Sequence, residues 1–147
     1  MDVRESNFIS QRLKYMQVIK YKEIIISIIY RDSDWVKGLN FITPDNFFIQ
    51  VGSWWYQKGK KLDAHVHKDY ERLATRTQES IYVKKGSVKV SIFSEEQVFL
   101  EDYILNEGDL AVFGYGGHSY EILEDDTQII ESKNGPFVGA DLDKKRF

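Results

Sequence analysis

Residues Gly59 to Gly86 read GKKLDAHVHKDYERLATRTQESIYVKKG, and this stretch contains two of the histidines of the chain. His65 and His67 are two residues apart, so on an extended strand both imidazoles point to one face, about 7 Å apart along the backbone. Two imidazoles on one strand face can converge on a single metal ion. The stretch therefore predicts a short strand over Ala64–Lys68 that carries half of a metal site.

Two further residues can complete such a site. Glu79 can supply a carboxylate from a neighbouring strand, and His118, which follows Gly116 and Gly117, can supply another imidazole. The chain has only three histidines, and this arrangement uses all of them. A divalent metal held by His65, His67, Glu79 and His118 is the prediction, with one or two coordination positions left open.

Other interpretations of these residues remain open at this point. The histidines could simply alternate along a surface or core strand without binding anything. Glu79 could form an ion pair with Arg72 or Arg76 instead of binding a metal. The metal prediction therefore depends on the four residues meeting at one point.

The composition limits the class of protein. A length of 147 residues predicts one domain, and 20 basic against 23 acidic residues without a basic stripe argue against a nucleic-acid partner. The absence of cysteine excludes disulfides and thiolate ligands, which leaves nitrogen and oxygen donors for iron, manganese, nickel, copper or zinc. The first residues are charged where a signal peptide is apolar, and the apolar run Ile24 to Tyr30 is too short to span a bilayer. We expect a cytoplasmic protein with no membrane partner.

Short apolar and aromatic runs that end in Gly, Asn or Asp predict an all-β domain. Their recurrence every eight to twelve residues is typical of an antiparallel sandwich or barrel. We expect a hairpin of 79–83 with 87–93, and a long strand over Phe47–Tyr56 that is buried on both faces. Residues 1–16 fit either a short helix or an irregular lead-in. The other predicted strands are one or two within 18–30, then 97–104, 110–113, 118–123 and 127–133.

Taken together, these residues resemble the cupin superfamily. Its first motif runs Gly, five residues, His-x-His, a few residues, Glu, six residues, Gly, and the matching residues here are Gly59, His65, His67, Glu79 and Gly86. The gap from His67 to Glu79 is longer than usual, which implies an inserted loop over 69–78. In the second motif Gly108 and His118 take the end positions. The interval between them is one residue shorter than in the family's motif and contains no proline, so Gly114, Gly116 and Gly117 must make the corner.

The resemblance implies a single cupin domain over 1–147, a jelly-roll barrel of the double-stranded β-helix type. Its core would cover about 46–133, with N-terminal strands in 18–43 adding to the sheets. The chain looks like small cupins often encoded among genes for polysaccharide or nucleotide-sugar synthesis. The resemblance also implies a metal-dependent enzyme of isomerase, lyase or dioxygenase type that acts on a sugar or another small polar molecule. A ligand-binding or sensory cupin with a structural metal, or a cupin without a metal, are the alternatives.

Three residues are weaker candidates for a substrate pocket. Arg76 could clamp a carboxylate or phosphate, although a solvated loop arginine is the plainer interpretation. Tyr120 could hydrogen-bond a ligand or be a core tyrosine with a satisfied hydroxyl, and Gln50 could line the pocket from the adjacent strand. Edge strands and exposed aromatic side chains such as Phe47 and Trp55 make a homodimer the expected assembly.

Overall fold

The computed structural model describes residues 16–147, and within them the strands form three separate antiparallel sheets. The strands are β1 Gln17–Tyr21, β2 Ile24–Tyr30, β3 Gly38–Phe41, β4 Gly52–Trp55, β5 Glu79–Lys85, β6 Ser87–Phe93, β7 Phe99–Asn106, β8 Leu110–Phe113, β9 Gly117–Ile122 and β10 Gln128–Lys133. The five-stranded sheet has the order β1-β2-β8-β5-β10, the three-stranded sheet β7-β6-β9, and β3 pairs with β4. The predicted β-rich antiparallel class is confirmed, and no closed barrel forms among residues 16–147.

The main core lies between the five-stranded and the three-stranded sheet. Alternate residues of β5, namely Ile81 and Val83, meet alternate residues of β6, such as Val90 and Ile92, and all four are at most 2% exposed. Burial of apolar side chains from both sheets in one cluster holds them face to face as a sandwich. Glu79 is the first residue of β5 and lies on the same face as Ile81, at the end of this core.

A second, smaller core covers the opposite face of the five-stranded sheet. Ile28 and Val112 pack there against Phe47 and Ile49 of the segment between β3 and β4. Gln78, which is 1% exposed, fastens this segment: its side-chain oxygen accepts hydrogen bonds from the backbone N–H groups of Phe48 and Ile49 at 2.6 and 3.3 Å.

The structure corrects the predicted hairpin. The strands at 79–85 and 87–93 are both present, but they do not pair: β5 pairs with β8 and β10, and β6 pairs with β7 and β9. Gly86 carries the chain from one sheet to the other with a φ of +79°, a value that side chains disfavour. The sequence signal for two strands and a tight turn is the same for a hairpin and for this crossing.

Of two strand predictions in the middle of the chain, one is wrong and the other is confirmed only in part. No strand occurs between Trp55 and Glu79, so Ala64–Lys68 is irregular chain without a partner strand and its side chains are exposed. The strand predicted over Phe47–Tyr56 is limited to Gly52–Trp55, because Gln78 and a turn bind the backbone of residues 44–50. The stretch predicted as a strand, 47–56, is also not buried on both faces, because Phe47 is 6% exposed but Trp54 is 60% exposed.

Beyond β10 the chain adds little regular structure. One short helix, α1, covers Ala140–Asp143 and was not predicted. The possible helix at 1–16 falls almost entirely outside the described residues. Among residues 16–147 there is no helix with the length and apolar character needed to cross a membrane.

Candidate functional site

A buried carboxylate with three polar partners lies at the end of the main core. Glu79 is 5% exposed, and its Oε1 accepts hydrogen bonds from His118 Nε2 and from the Tyr120 hydroxyl, each at 2.7 Å. Lys133 Nζ lies 3.4 Å from the other carboxylate oxygen. We call these four residues the Glu79 cluster. They come from three strands, and 54 residues of sequence separate the first from the last.

The strand register brings the cluster together. Glu79 pairs across β5 and β10 with Lys133, and across β5 and β8 with Phe113. The Phe113 ring stacks on the His118 ring at a centroid distance of 4.2 Å, which joins the two sheets at this point. Because His118 and Tyr120 are two apart on β9, both side chains face the carboxylate.

The predicted glycine corner before His118 is confirmed, and it explains how β9 reaches the cluster. Gly116 has a φ of +72°, and a Cβ placed on it would lie 2.2 Å from the backbone oxygen of Phe93. A Cβ on Gly114 would lie 2.4 Å from the Phe47 ring. Only glycine allows the backbone to pass this closely and turn into β9.

Glu79 is ionised in spite of its burial. Desolvation by burial raises its pKa, but the hydrogen bonds from His118 and Tyr120 and the charges of His118 and Lys133 together outweigh this and lower the pKa to about 2. The same contacts act in the opposite direction on the partner phenol: burial and the neighbouring carboxylate raise the pKa of Tyr120. Tyr120 is therefore a neutral hydrogen-bond donor beside a permanent anion.

This pKa predicts how stability depends on pH. The carboxyl group has an ordinary pKa of 4.5 in the unfolded chain and about 2 in the fold, so it stabilises the fold above pH 4.5 and the gain is lost as the pH falls toward 2. The expected loss attributable to Glu79 is about 3 kcal/mol. Urea unfolding at several pH values between 6 and 2.5 measures it, with Glu79→Gln as reference. A Glu79→Gln curve with the same acid slope as the native protein would contradict this assignment.

The other two predicted ligands lie apart from the cluster. His65 and His67 belong to the irregular segment between β4 and β5, and their rings meet edge to face with centroids 5.2 Å apart. His65 Nδ1 is 3.2 Å from the Asp63 carbonyl oxygen. Within residues 16–147 no three or more His, Asp or Glu side chains form a group that could hold a metal ion. Among these residues the four predicted donors therefore stand as two separate pairs and not as one group.

The weaker pocket candidates have local partners. The Tyr120 hydroxyl is satisfied by Glu79. Arg76 forms an ion pair with Glu95 at 2.7 Å and lies over the Tyr115 ring. The guanidinium of Arg72 donates to the carbonyl oxygen of Tyr70. Neither arginine is therefore the partner of Glu79, which contacts His118 and Lys133 instead. The side-chain amide of Gln50 donates to the carbonyl oxygens of Pro44 and Phe47 and so braces a turn.

Lys133 is the cluster residue that sequence reasoning missed. It was predicted as the last residue of a strand, but its approach to Glu79 depends on the pairing of β10 with β5, for which the sequence carries no local signal.

Phe47, expected to be an exposed dimer contact, is instead 6% exposed, whereas Trp55 is 43% exposed.

Comparison of the chain with models of protein families, with curated proteins and with solved structures finds no match. The site therefore has to be interpreted from its own chemistry.

Proposed function

We propose that this chain is a metal-binding protein of the cupin type, with a jelly-roll arrangement of its strands, that acts on a sugar or another small polar molecule. Glu79 and His118 form the fixed part of the metal site, and His65 and His67 supply the remaining ligands. The observation that carries the proposal is the buried, ionised carboxylate of Glu79 within 2.7 Å of an imidazole nitrogen from the opposite sheet.

The low pKa of Glu79 favours a role as an anionic ligand. A general acid or base works best with a pKa near the pH of the reaction, and a carboxyl group with a pKa of about 2 holds almost no proton at neutral pH. A permanent carboxylate that accepts a hydrogen bond from Nε2 instead fixes the orientation of the His118 ring, as carboxylates do for metal-bound histidines, and leaves Nδ1 as the ring nitrogen that could bind a divalent first-row metal. Glu79 therefore holds charge and orients His118, and any proton transfer falls to another group.

Each residue of the cluster has a role in the proposal. Glu79 fixes the ring of His118 through Nε2, and stacking on Phe113 restricts that ring further. Tyr120 and Lys133 stabilise the negative charge of Glu79 from two sides. A bound divalent ion would supply Lewis-acid polarisation of a substrate carbonyl or hydroxyl group, as in an isomerase or a lyase, or activation of dioxygen.

Elemental analysis of protein purified without added metal tests the proposal. We expect about one divalent ion per chain in the native protein, as a mononuclear site requires, and loss of most of it in His118→Ala and in His65→Ala. Tyr120→Phe is the matched control, because it changes the same cluster but removes no proposed ligand, and it should keep the metal.

The result separates the parts of the proposal. Equal metal content in the native protein and in His65→Ala would exclude His65 as a ligand. Absence of metal from the native protein, together with no uptake of zinc, manganese or iron(II) in dialysis, would refute the metal site altogether.

A further inference from the structure

An exposed apolar face lies on the hairpin of β3 and β4. Ser53, which is 4% exposed, points toward the five-stranded sheet, where its hydroxyl lies 3.1 Å from the Tyr30 hydroxyl. Its neighbours along the strand therefore point away from that sheet. Leu39 and Trp54 pair across the hairpin on this outward side and are 49% and 60% exposed, and Phe41, two residues further along β3, is 38% exposed. We call Leu39, Phe41 and Trp54 the hairpin face.

Four lysines lie next to one end of the hairpin face. Gly38 pairs with Trp55, so these two residues mark that end, and the chain beside them carries the exposed residues Lys37, Lys58, Lys60 and Lys61. Residues 35–62 contain a single acidic residue and have a net charge of +3, whereas the whole chain has a net charge of −3. This end of the hairpin is therefore a positive patch on a protein that is otherwise acidic.

Two of these lysines extend over exposed aromatic rings. Lys37 Nζ lies 6.0 Å from the centre of the Trp55 ring, and Lys60 Nζ lies 5.6 Å from the centre of the Tyr56 ring. Lysine side chains commonly lie along apolar surface in this way while the ammonium group stays in water. Tryptophan and tyrosine, in turn, are the side chains enriched at the level of the lipid head groups. Apolar side chains, aromatic rings and lysines thus occur together in the combination typical of a membrane-binding surface.

We infer that the hairpin face and its four lysines dock on the surface of an anionic lipid bilayer. The apolar side chains enter the head-group region, and the ammonium groups lie against the lipid phosphates and carboxylates. Each lysine near an anionic leaflet strengthens such binding about fivefold. The expectation of no membrane partner rested on the lack of a spanning segment, and a surface that lies on a bilayer needs none. The docking requires neither the Glu79 cluster nor a metal.

Other occupants fit this surface less well. A two-fold dimer would set the patch against itself and bring the lysines of both copies together, which like-charge repulsion opposes. A nucleic-acid strand would need successive aromatic rings on which its bases could stack. Trp54 and Trp55 are consecutive in β4 and therefore face opposite sides of the hairpin, so they form no such platform.

Sedimentation with lipid vesicles in EDTA tests the inference. We expect the protein to bind vesicles of phosphatidylcholine with about 30% phosphatidylserine, to bind pure phosphatidylcholine weakly, and to dissociate as salt is added. The three tryptophans of the chain all lie within residues 35–55, so tryptophan emission should move to shorter wavelength as the vesicles bind.

Two variants remove the two parts of the surface. Trp54→Ala should weaken binding about tenfold through lost apolar contact. Lys60→Gln/Lys61→Gln should weaken it about 25-fold through lost charge. Ile104→Ala, at a 53% exposed position of β7, and Lys84→Gln/Lys85→Gln, at the exposed end of β5, are the matched controls and should bind as the native protein does. Urea unfolding shows whether each variant folds; if Trp54→Ala does not, the lysine pair, which lies in exposed chain, decides.

Absence of binding to the phosphatidylserine vesicles would overturn the inference, and so would equal binding to the neutral vesicles or equal losses in test and control variants. Without vesicle binding, a single-stranded oligonucleotide that binds the native protein but not the Lys60/Lys61 variant would assign the surface to nucleic acid. A dimer in analytical ultracentrifugation that Trp54→Ala dissociates, again without vesicle binding, would assign it to a second copy of the chain.

Discussion

Glu79→Ala is expected to lower the free energy of unfolding by about 3–5 kcal/mol, the range for removing one partner from a buried charged network. The substitution leaves His118 Nε2 and the Tyr120 hydroxyl without their acceptor and removes the counter-charge of Lys133. Urea unfolding at neutral pH in EDTA measures the loss without any contribution from bound metal. Glu79→Gln, which keeps an acceptor oxygen but no charge, should fall between the alanine variant and the native protein.

Glu131→Ala is the matched control for this prediction. Glu131 is also a glutamate on a strand of the five-stranded sheet, and it pairs with Lys133 at 2.9 Å, but its side chain is 45% exposed. Exposed ion pairs contribute at most about 1 kcal/mol, so this variant should remain close to the native protein. Equal losses for the two glutamates would show that the burial of Glu79 has no energetic consequence and would remove the argument for an organised site.

The sequence predicted the strands better than it predicted their partners. Period-two alternation marks a strand with one buried face, as in 87–93, and a short apolar run marks a strand buried on both faces, as in 110–113; both predictions match the structure residue for residue. Alternation does not say which sheet a strand joins. Gly86 therefore appeared as a hairpin turn although it carries the chain between two sheets.

The candidate site was predictable in part for the same reason. Glu79 and His118 lie on strands that the pattern identified, and the fold brings them to 2.7 Å across 39 residues of sequence. His65 and His67 lie on a segment whose neighbours Lys60, Lys61 and Asp69 are polar, so its alternation had no buried face to fix it. Lys133 could be found only from strand pairing, because a lysine at the end of a strand usually points to solvent.

Gly116→Ala is expected to destabilise the protein by about 2–5 kcal/mol, from a left-handed backbone conformation together with overpacking. A methyl group here would meet the backbone oxygen of Phe93 at 2.2 Å, and backbone in a central strand cannot move aside as a flexible side chain can. Gly59→Ala is the control, since Gly59 has a similar φ of +90° but no atom within 4 Å of the added Cβ. The difference between the two variants in urea unfolding isolates the contact from the backbone conformation.

The same substitution also tests whether the corner positions the Glu79 cluster. If Gly116→Ala folds, β9 must shift away from Phe93, and the contact of His118 with Glu79 lengthens because Gly116 directly precedes the short strand that carries His118. The acid-dependent stabilisation assigned to Glu79 should then shrink in Gly116→Ala and stay unchanged in Gly59→Ala, as unfolding at pH 6 and pH 3 would show. An undiminished acid slope in a folded Gly116→Ala protein would mean that the carboxylate keeps its partners without the glycine corner, and that the corner serves the fold alone.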